Sequence, residues 1–454
     1  STYEVDNAIT QYSFTKTNFM KPLEKLLSAK LFALAFIVLF AACKKNDNHN
    51  KKGTYVKVEN VLMAKDLAES GTFKGAGVDP VPPVIFPGQE LSFSFSAGKG
   101  QSLMFATMYG WSNDLFFAPA NPGITLFDGN GMPVEGDVSD QVKLWDNGTR
   151  VNQKPGMAVV HPGDAENKAI AEVSGTDAQG NNYLPASQLM KATLTYDGNS
   201  VFTFTMKNTS GGTSNETPFS PGVWAVSNML GGHLLNAMPF FENGKTTPGN
   251  GITEIAEMGD NSKLWDYARS NTKIFTPLSP ILIVVYNGKN NPIFSSGEPD
   301  RGNGLADIAQ KGDATMLKNT LNAMPEVRSV YVVPAPQTTV LLPSIDGNPG
   351  GVIEQKIEYH PGDKITFATM FGYSNDWFFS FDGSVNAGST GDFSDKIRLY
   401  DDGTAVDQYP GAGNSQGAFG GAPQTPESKP IDYIGDTYPV PAVTDIIKLT
   451  ITRY

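Results

Sequence analysis

The sequence predicts an all-β protein built around a duplicated unit, and three observations carry that expectation. Glycine and proline are abundant, at 47 and 31 of 454 residues, while charged residues make up only 18%. With short apolar runs this favours strands joined by many turns, α+β being the second choice. Apolar and polar residues alternate with a period of two in stretches such as ELSFSFS from Glu90 and KATLTY from Lys191, the mark of strands with one buried face. Finally, FATMYGWSNDLFF at 105–117 recurs as FATMFGYSNDWFF at 367–379. A chain of this length can hold two or three cores, because single cores stop growing near about 250 to 300 residues.

Residues 1–19 contain no initiating Met and are expected to be an extraneous upstream segment. From Met20 the chain has the three parts of a secretory signal: Lys21, Lys25 and Lys30, then the apolar run LFALAFIVLF at 31–40, then Ala41-Ala42 before the lone cysteine, Cys43. That run is too short to span about 30 Å of hydrocarbon. Residues 20–42 resemble a bacterial lipoprotein signal, although Phe40 stands where Leu, Val or Ile is commoner. The resemblance implies a diacylglycerol thioether on Cys43, loss of residues 1–42, and attachment to the bacterial cell envelope at the outer membrane or cell surface. Residues 43–53 would then be a solvated tether with nothing apolar to bury.

Alternating strands follow from Thr54. The SND block is followed in each copy by a second shared block, GDVSDQVKLWDNGTRVNQKPG from Gly136 and GDFSDKIRLYDDGTAVDQYPG from Gly391. LMKATLTY from Leu189 and IIKLTITRY from Ile446 read as equivalent closing strands, which places one unit at 54–199 and another at 200–454. Between them lies a different repeat, at 217–270 and 276–326: TPFSP with GNGITEIAEMGD, then TPLSP with GNGLADIAQKGD. Each is read as a strand after a Ser-Pro turn and a glycine loop into a short covering helix. Two assignments of the 217–270 half are open, since it either belongs to the second unit or folds back to complete the first.

These four blocks, in this order, resemble the spondin domain, a module of extracellular adhesion and matrix proteins and of bacterial secreted proteins. The full order runs over 200–454, and its second half alone over 54–199. The resemblance implies a C2-like β-sandwich for each of two units. It also implies a Ca2+ site at one end, formed by the Asp of the SND block and the first Asp of D-x-G-T. Those positions are Asp114 and Asp146 in the first copy and Asp376 and Asp401 in the second. The family's third acidic ligand does not carry over, since Arg150 and Ala405 stand there. Asp407 is the substitute expected in the second copy, with Asp402 beside it, and Arg150 is expected to set a positive charge near any cation in the first.

From the residues alone, Asp in two adjacent loops suits calcium, which takes six to eight oxygens. The same residues also fix turns by bonding their own backbone. The aromatics around SND, namely Trp111, Phe116, Phe117, Tyr373, Trp377, Phe378 and Phe379, are expected to be mostly core, with one or two per tip exposed to a protein or glycan ligand. A net charge of −12 argues against nucleic acid. The four histidines lack zinc spacing, and neither a nucleophile elbow nor a phosphate loop with lysine is present. Glu254 and Glu257 read as a solvated helix face. The expected function is noncatalytic binding or adhesion, with a periplasmic scaffold and a carbohydrate hydrolase as the competing readings.

Overall fold

The computed structural model describes residues 52–77, 83–421 and 423–454. The expected signal segment, Cys43 and the expected tether up to residue 51 lie outside the described residues. Among those described, no helix is long and apolar enough to cross a membrane. The chain is mostly β, with 37% strand against 12% helix in several antiparallel sheets, which settles the class as all-β sandwich rather than α+β.

Two assemblies of three layers emerge. In the first, a four-stranded sheet runs Glu90–Ser96, Val201–Asn208, Met190–Gly198, Gly136–Asp137. It faces a larger sheet of Leu67–Phe73, Gly222–Ser227, Ser102–Met108, Leu115–Pro119, Val142–Asp146 and Ala171–Glu172. The second repeats the plan, with Val352–Tyr359, Lys52–Asn60, Ile447–Arg453 and Gly391–Asp392 facing Val327–Val333, Ile281–Tyr286, Lys364–Met370, Trp377–Phe381, Ile397–Asp401 and Asp432–Tyr433. A helix pair covers the outer face of each larger sheet: Ile252–Met258 with Ser262–Ser270, and Leu305–Lys311 with Thr315–Asn322.

The alternation in the sequence explains the layers. In Val201–Asn208 the inward residues are Phe202, Phe204 and Met206, while Thr203 and Thr205 lie on the other face. Ser102–Met108 is buried at every position because it has cores on both sides. Leu103 and Phe105 enter the inter-sheet core with Phe204, and Met104, Ala106 and Met108 meet the helices. Fully burying a side chain such as Phe105 contributes roughly 1.5 to 3 kcal/mol, so the centre of each sandwich is set by its largest apolar residues.

The unit boundary expected at 199/200 is overturned by strand pairing. Residues 198–200 form a tight hairpin turn with positive φ at Gly198 (86°), Asn199 (50°) and Ser200 (65°). Val201–Asn208 then returns between Met190–Gly198 and Glu90–Ser96, with Phe204 opposite both Leu194 and Phe93. Gly222–Ser227 pairs with Ser102–Met108, Trp224 opposite Phe105, so the 217–270 half completes the first sandwich. The 276–326 half serves the second, with Ile283 opposite Phe367. Conversely, Lys52–Asn60 belongs to the second sandwich, between Val352–Tyr359 and Ile447–Arg453. This strand also begins inside the stretch expected to be tether. The reason is edge pairing: a closing strand with an apolar face needs a neighbour on each side, and Val56 and Val58 supply the matching face.

The two sandwiches meet along the chain that follows Asp407. Asn199 Nδ2 donates to the Asp407 carbonyl at 2.9 Å, Gln101 Nε2 to the Gly411 carbonyl at 3.0 Å, and Gln408 Nε2 to Ser200 Oγ at 3.2 Å.

Candidate metal centre

The SND turn of the second sandwich is held by its serine. Ser374 Oγ donates to the Phe371 carbonyl at 2.7 Å and accepts from Trp377 N at 3.0 Å. Antiparallel pairing then sets Trp377 opposite Asp401, which brings the D-x-G-T turn against Asp376. The glycine of that turn is required twice over. Gly403 has φ of 70°, and a Cβ there would come within 2.5 Å of the Lys429 carbonyl.

Asp376 is fully buried. Its Oδ2 accepts from Thr404 N at 2.7 Å, Ala405 N at 2.8 Å and Thr404 Oγ1 at 2.9 Å, while its Oδ1 has no partner. Asp401 Oδ1 accepts from Gly403 N at 2.8 Å, the turn-fixing role that its position before glycine allows. Asp407 Oδ1 is buried without a partner. Carboxylate oxygens of Asp376, Asp401 and Asp407 lie within 4.8 Å of one another. Asp407 thus stands where the sequence expects a third acid.

A fourth carboxylate, outside the cluster of three, lies near enough for its charge to be felt. Glu427 N donates to the Thr404 carbonyl at 3.1 Å and Lys429 N to the Gly403 carbonyl at 2.9 Å, so residues 427–429 run beside the D-x-G-T turn. The Glu427 charge reaches both Asp401 and Asp407. Its Oε2 pairs with Lys429 Nζ at 2.6 Å and its Oε1 is buried and unpartnered. The sequence reading missed Glu427, although an E-x-K pattern recurs at 166–168 and 427–429 and offers the signal.

Electrostatics make the cluster unfavourable by itself. Burial, then the Asp401 charge, raises the Asp376 carboxyl, and burial likewise raises Asp401. Burial and the charges of Asp401 and Asp376 push Asp407 up to about 7. Asp402 does not join the three. It is fully buried beside Thr404, pushed up to about 8 by burial and then by the charge of Asp300. Consecutive residues point to opposite sides of extended chain, so the 401–402 pair divides between two environments.

The first sandwich keeps the scaffold and loses one charge. Asp114 Oδ2 accepts from Arg150 N at 2.8 Å, Thr149 N at 2.9 Å and Thr149 Oγ1 at 3.2 Å, and its Oδ1 is unpartnered. Burial and the Asp146 charge push it up to about 7. Asp146 Oδ1 accepts from Gly148 N at 2.7 Å. At the place of Asp407 stands Asn152, whose Nδ2 donates to Asp146 Oδ2 at 2.7 Å and so occupies the oxygen a cation would need. Arg150 is committed to Glu257, its NH2 nitrogen 2.8 Å from Oε2, while its charge still reaches Asp114. Glu257, read as part of a solvated face, has a side chain only 10% exposed and anchors this arginine.

The aromatic platform expected at the tips is not formed in the second sandwich. Tyr373, Trp377, Phe378 and Phe379 are all buried, and in the first only Trp111 is partly exposed. Tyr373 is consumed at the junction, its hydroxyl donating to the Met229 carbonyl. Comparison with known proteins finds no matching family model and no matching curated protein.

Proposed function

We propose that this chain is a noncatalytic binding or adhesion protein of the spondin type, lipid-anchored through Cys43 on the outside of a bacterial cell, whose second sandwich takes up Ca2+. The observation that carries the proposal is the convergence of Asp376, Asp401 and Asp407, two of which hold buried oxygens without partners. Several kcal/mol is the usual cost of burying an uncompensated charge, and a hard cation removes it by supplying the missing partner. Asp376, Asp401 and Asp407 would hold the ion, with Glu427 adding charge behind them. The ion would supply cross-linking of the SND turn to the chain leading from Asp407 to the neighbouring sandwich.

The donor set suits calcium rather than a softer metal, because it is made of carboxylate oxygens with no histidine or thiolate. The backbone amides that hold Asp376 and Asp401 support a fixed ligand frame over a proton-transfer role. Thermal unfolding of the full chain with and without calcium tests the reading. Calcium at about 100 times its Kd should add roughly 2.7 kcal/mol, and Asp376→Asn with Asp401→Asn should abolish the shift. An unchanged melting curve at millimolar calcium sinks the calcium reading. For attachment, protease shaving of intact cells should release the protein, and a Cys43→Ser chain should leave the membrane fraction.

A further inference from the structure

We propose that the Asp376, Asp401 and Asp407 centre, on the calcium reading it was given, also sets how firmly the two sandwiches are locked together, its cation tightening a clasp made of residues 407–419. The chain crosses between the sandwiches twice, side by side. Ala64 N still donates to the Ser344 carbonyl of the second sandwich at 2.8 Å and Leu67 already lies in a core of the first, so residues 65–66 make one crossing. The helix Ser262–Ser270 belongs to the first and Ile274 to the core of the second, so residues 271–273 make the other. Leu67 N donates to the Asn271 carbonyl at 3.0 Å and Lys273 N to the Leu67 carbonyl at 3.1 Å, which ties the two crossings into one narrow strap. Two short crossings bound together form a hinge unless further contacts fasten it.

The fastening comes from the stretch that begins at a carboxylate of the centre. The Asp407 carbonyl accepts from Asn199 Nδ2 at 2.9 Å, Gln408 Nε2 donates to Ser200 Oγ at 3.2 Å, and Tyr409 Oη donates to the Ala68 carbonyl at 3.3 Å. Three successive residues thus each reach the first sandwich. Further on, the Gly411 carbonyl accepts from Gln101 Nε2 at 3.0 Å, Asn414 Oδ1 accepts from Lys99 N at 2.7 Å, and Asn414 N donates to Ser200 Oγ at 2.8 Å. Phe419 ends the stretch against Gly98, where a Cβ would come within 2.5 Å of its ring. Asp407 therefore joins the centre by its side chain and the first sandwich by its carbonyl. Its Oδ1 has no partner. Ionised and with no cation between them, the three carboxylates repel one another, whereas a shared cation draws Asp407 inward. The clasp follows, because the same residue carries both contacts.

The first sandwich has the equivalent loop without the task. Gln153, aligned with Gln408, spends both ends of its amide on the backbone of Val160 in its own loop, at 3.1 Å each. Met157 and Val160 beyond it are 81% and 62% exposed, and Asn152 closes on Asp146 in place of a third acid. Among the described residues, the acidic triad and the clasp occur together in one copy and neither occurs in the other.

Hydrogen exchange of the full chain, read by mass spectrometry in calcium and in chelator beside calorimetry on the same samples, tests the coupling. The Lys99 and Asn414 amides bond across the junction. Removing calcium should speed exchange in segments 97–101 and 411–416 at least about tenfold and leave the strand Val201–Asn208 unchanged. Coupling is reciprocal, so weakening the clasp must weaken the ion. Asn199→Gly, which keeps the positive φ of that position, and Asn414→Ala replace no carboxylate of the centre, and each should lower calcium affinity about fivefold or more. Calcium binding without any change in exchange, and with full affinity in both variants, overturns the clasp and leaves the calcium reading standing. No calcium uptake at millimolar calcium removes the calcium reading itself and the control of the clasp with it.

Discussion

The two tips of this protein share a scaffold and differ in how it is filled. In both, an aspartate at the SND turn takes two backbone amides and a threonine hydroxyl, and a second aspartate fixes the D-x-G-T turn. In the first, an asparagine amide then closes on Asp146 and an arginine and glutamate pair braces the turn to the covering helix. In the second, Asp407 adds a negative charge, and the arginine and glutamate become Ala405 and Gln310, with Gln310 reaching Thr404. The fold therefore requires the turn-fixing bonds in both copies. The excess negative charge is confined to one, which separates what holds the loops from what a ligand would use.

The largest expected effect comes from making the second tip like the first. Asp407→Asn should lower calcium affinity on the order of 100-fold, since charge count sets affinity in oxygen-ligand sites, measured by calorimetry. A retained affinity would mean that Asp407 is no ligand. The reverse change, Asn152→Asp, should raise the response of the first tip to calcium, by less, because Arg150 still acts on Asp114.

The pH dependence follows from the direction of the shifts. Asp407 titrates near 3.8 unfolded and about 7 folded, and Asp376 and Asp401 move the same way. The folded chain therefore holds more protons between those values. Without metal, these groups make stability fall as pH rises through that window, and below it they have no effect. Calcium needs the ionised carboxylates and restores stability above it. The melting shift given by calcium should be large at about pH 8 and close to zero at about pH 5. A shift equal at both values would contradict a buried carboxylate site.

Smaller effects test the braces. Arg150→Ala leaves Glu257 partly buried and unpaired and should cost about 1.5 to 3 kcal/mol, whereas Gln310→Ala at the corresponding helix position of the second sandwich should cost about 1 kcal/mol. Denaturant unfolding of the two variants measures the difference, and equal losses would show that the arginine adds nothing. Asn199→Ala removes one bond to the Asp407 carbonyl across the junction and should cost about 0.5 to 1.5 kcal/mol. If the junction is unaffected, protease cleavage in residues 407–424 will stay as slow as in the unaltered chain.

Much of this was legible in the sequence because duplication acts as an internal control. The repeated SND and D-x-G-T blocks single out Asp376 and Asp401 as carboxylates that can converge, and the resemblance to the spondin domain points past Ala405 to Asp407 as the third. What the residues did not reveal was where the units close. Gly198, Asn199 and Ser200 have the composition of a linker, and only the match of Phe202 and Phe204 to a facing sheet makes them a hairpin. Likewise Lys52–Asn60 alternates like any strand, and nothing local says that its partners lie about 300 and about 400 residues away, with Val56 opposite Gln355 and Ile451. The fates of the aromatics were hidden for the same reason, since the exposure of Tyr373 was decided by the junction with Met229.

One centre carries the proposed calcium binding, and an anomalous difference map from crystals grown in calcium addresses it directly. A peak bounded by carboxylate oxygens of Asp376, Asp401 and Asp407 is expected, absent from crystals of Asp407→Asn. No peak there at saturating calcium would contradict it.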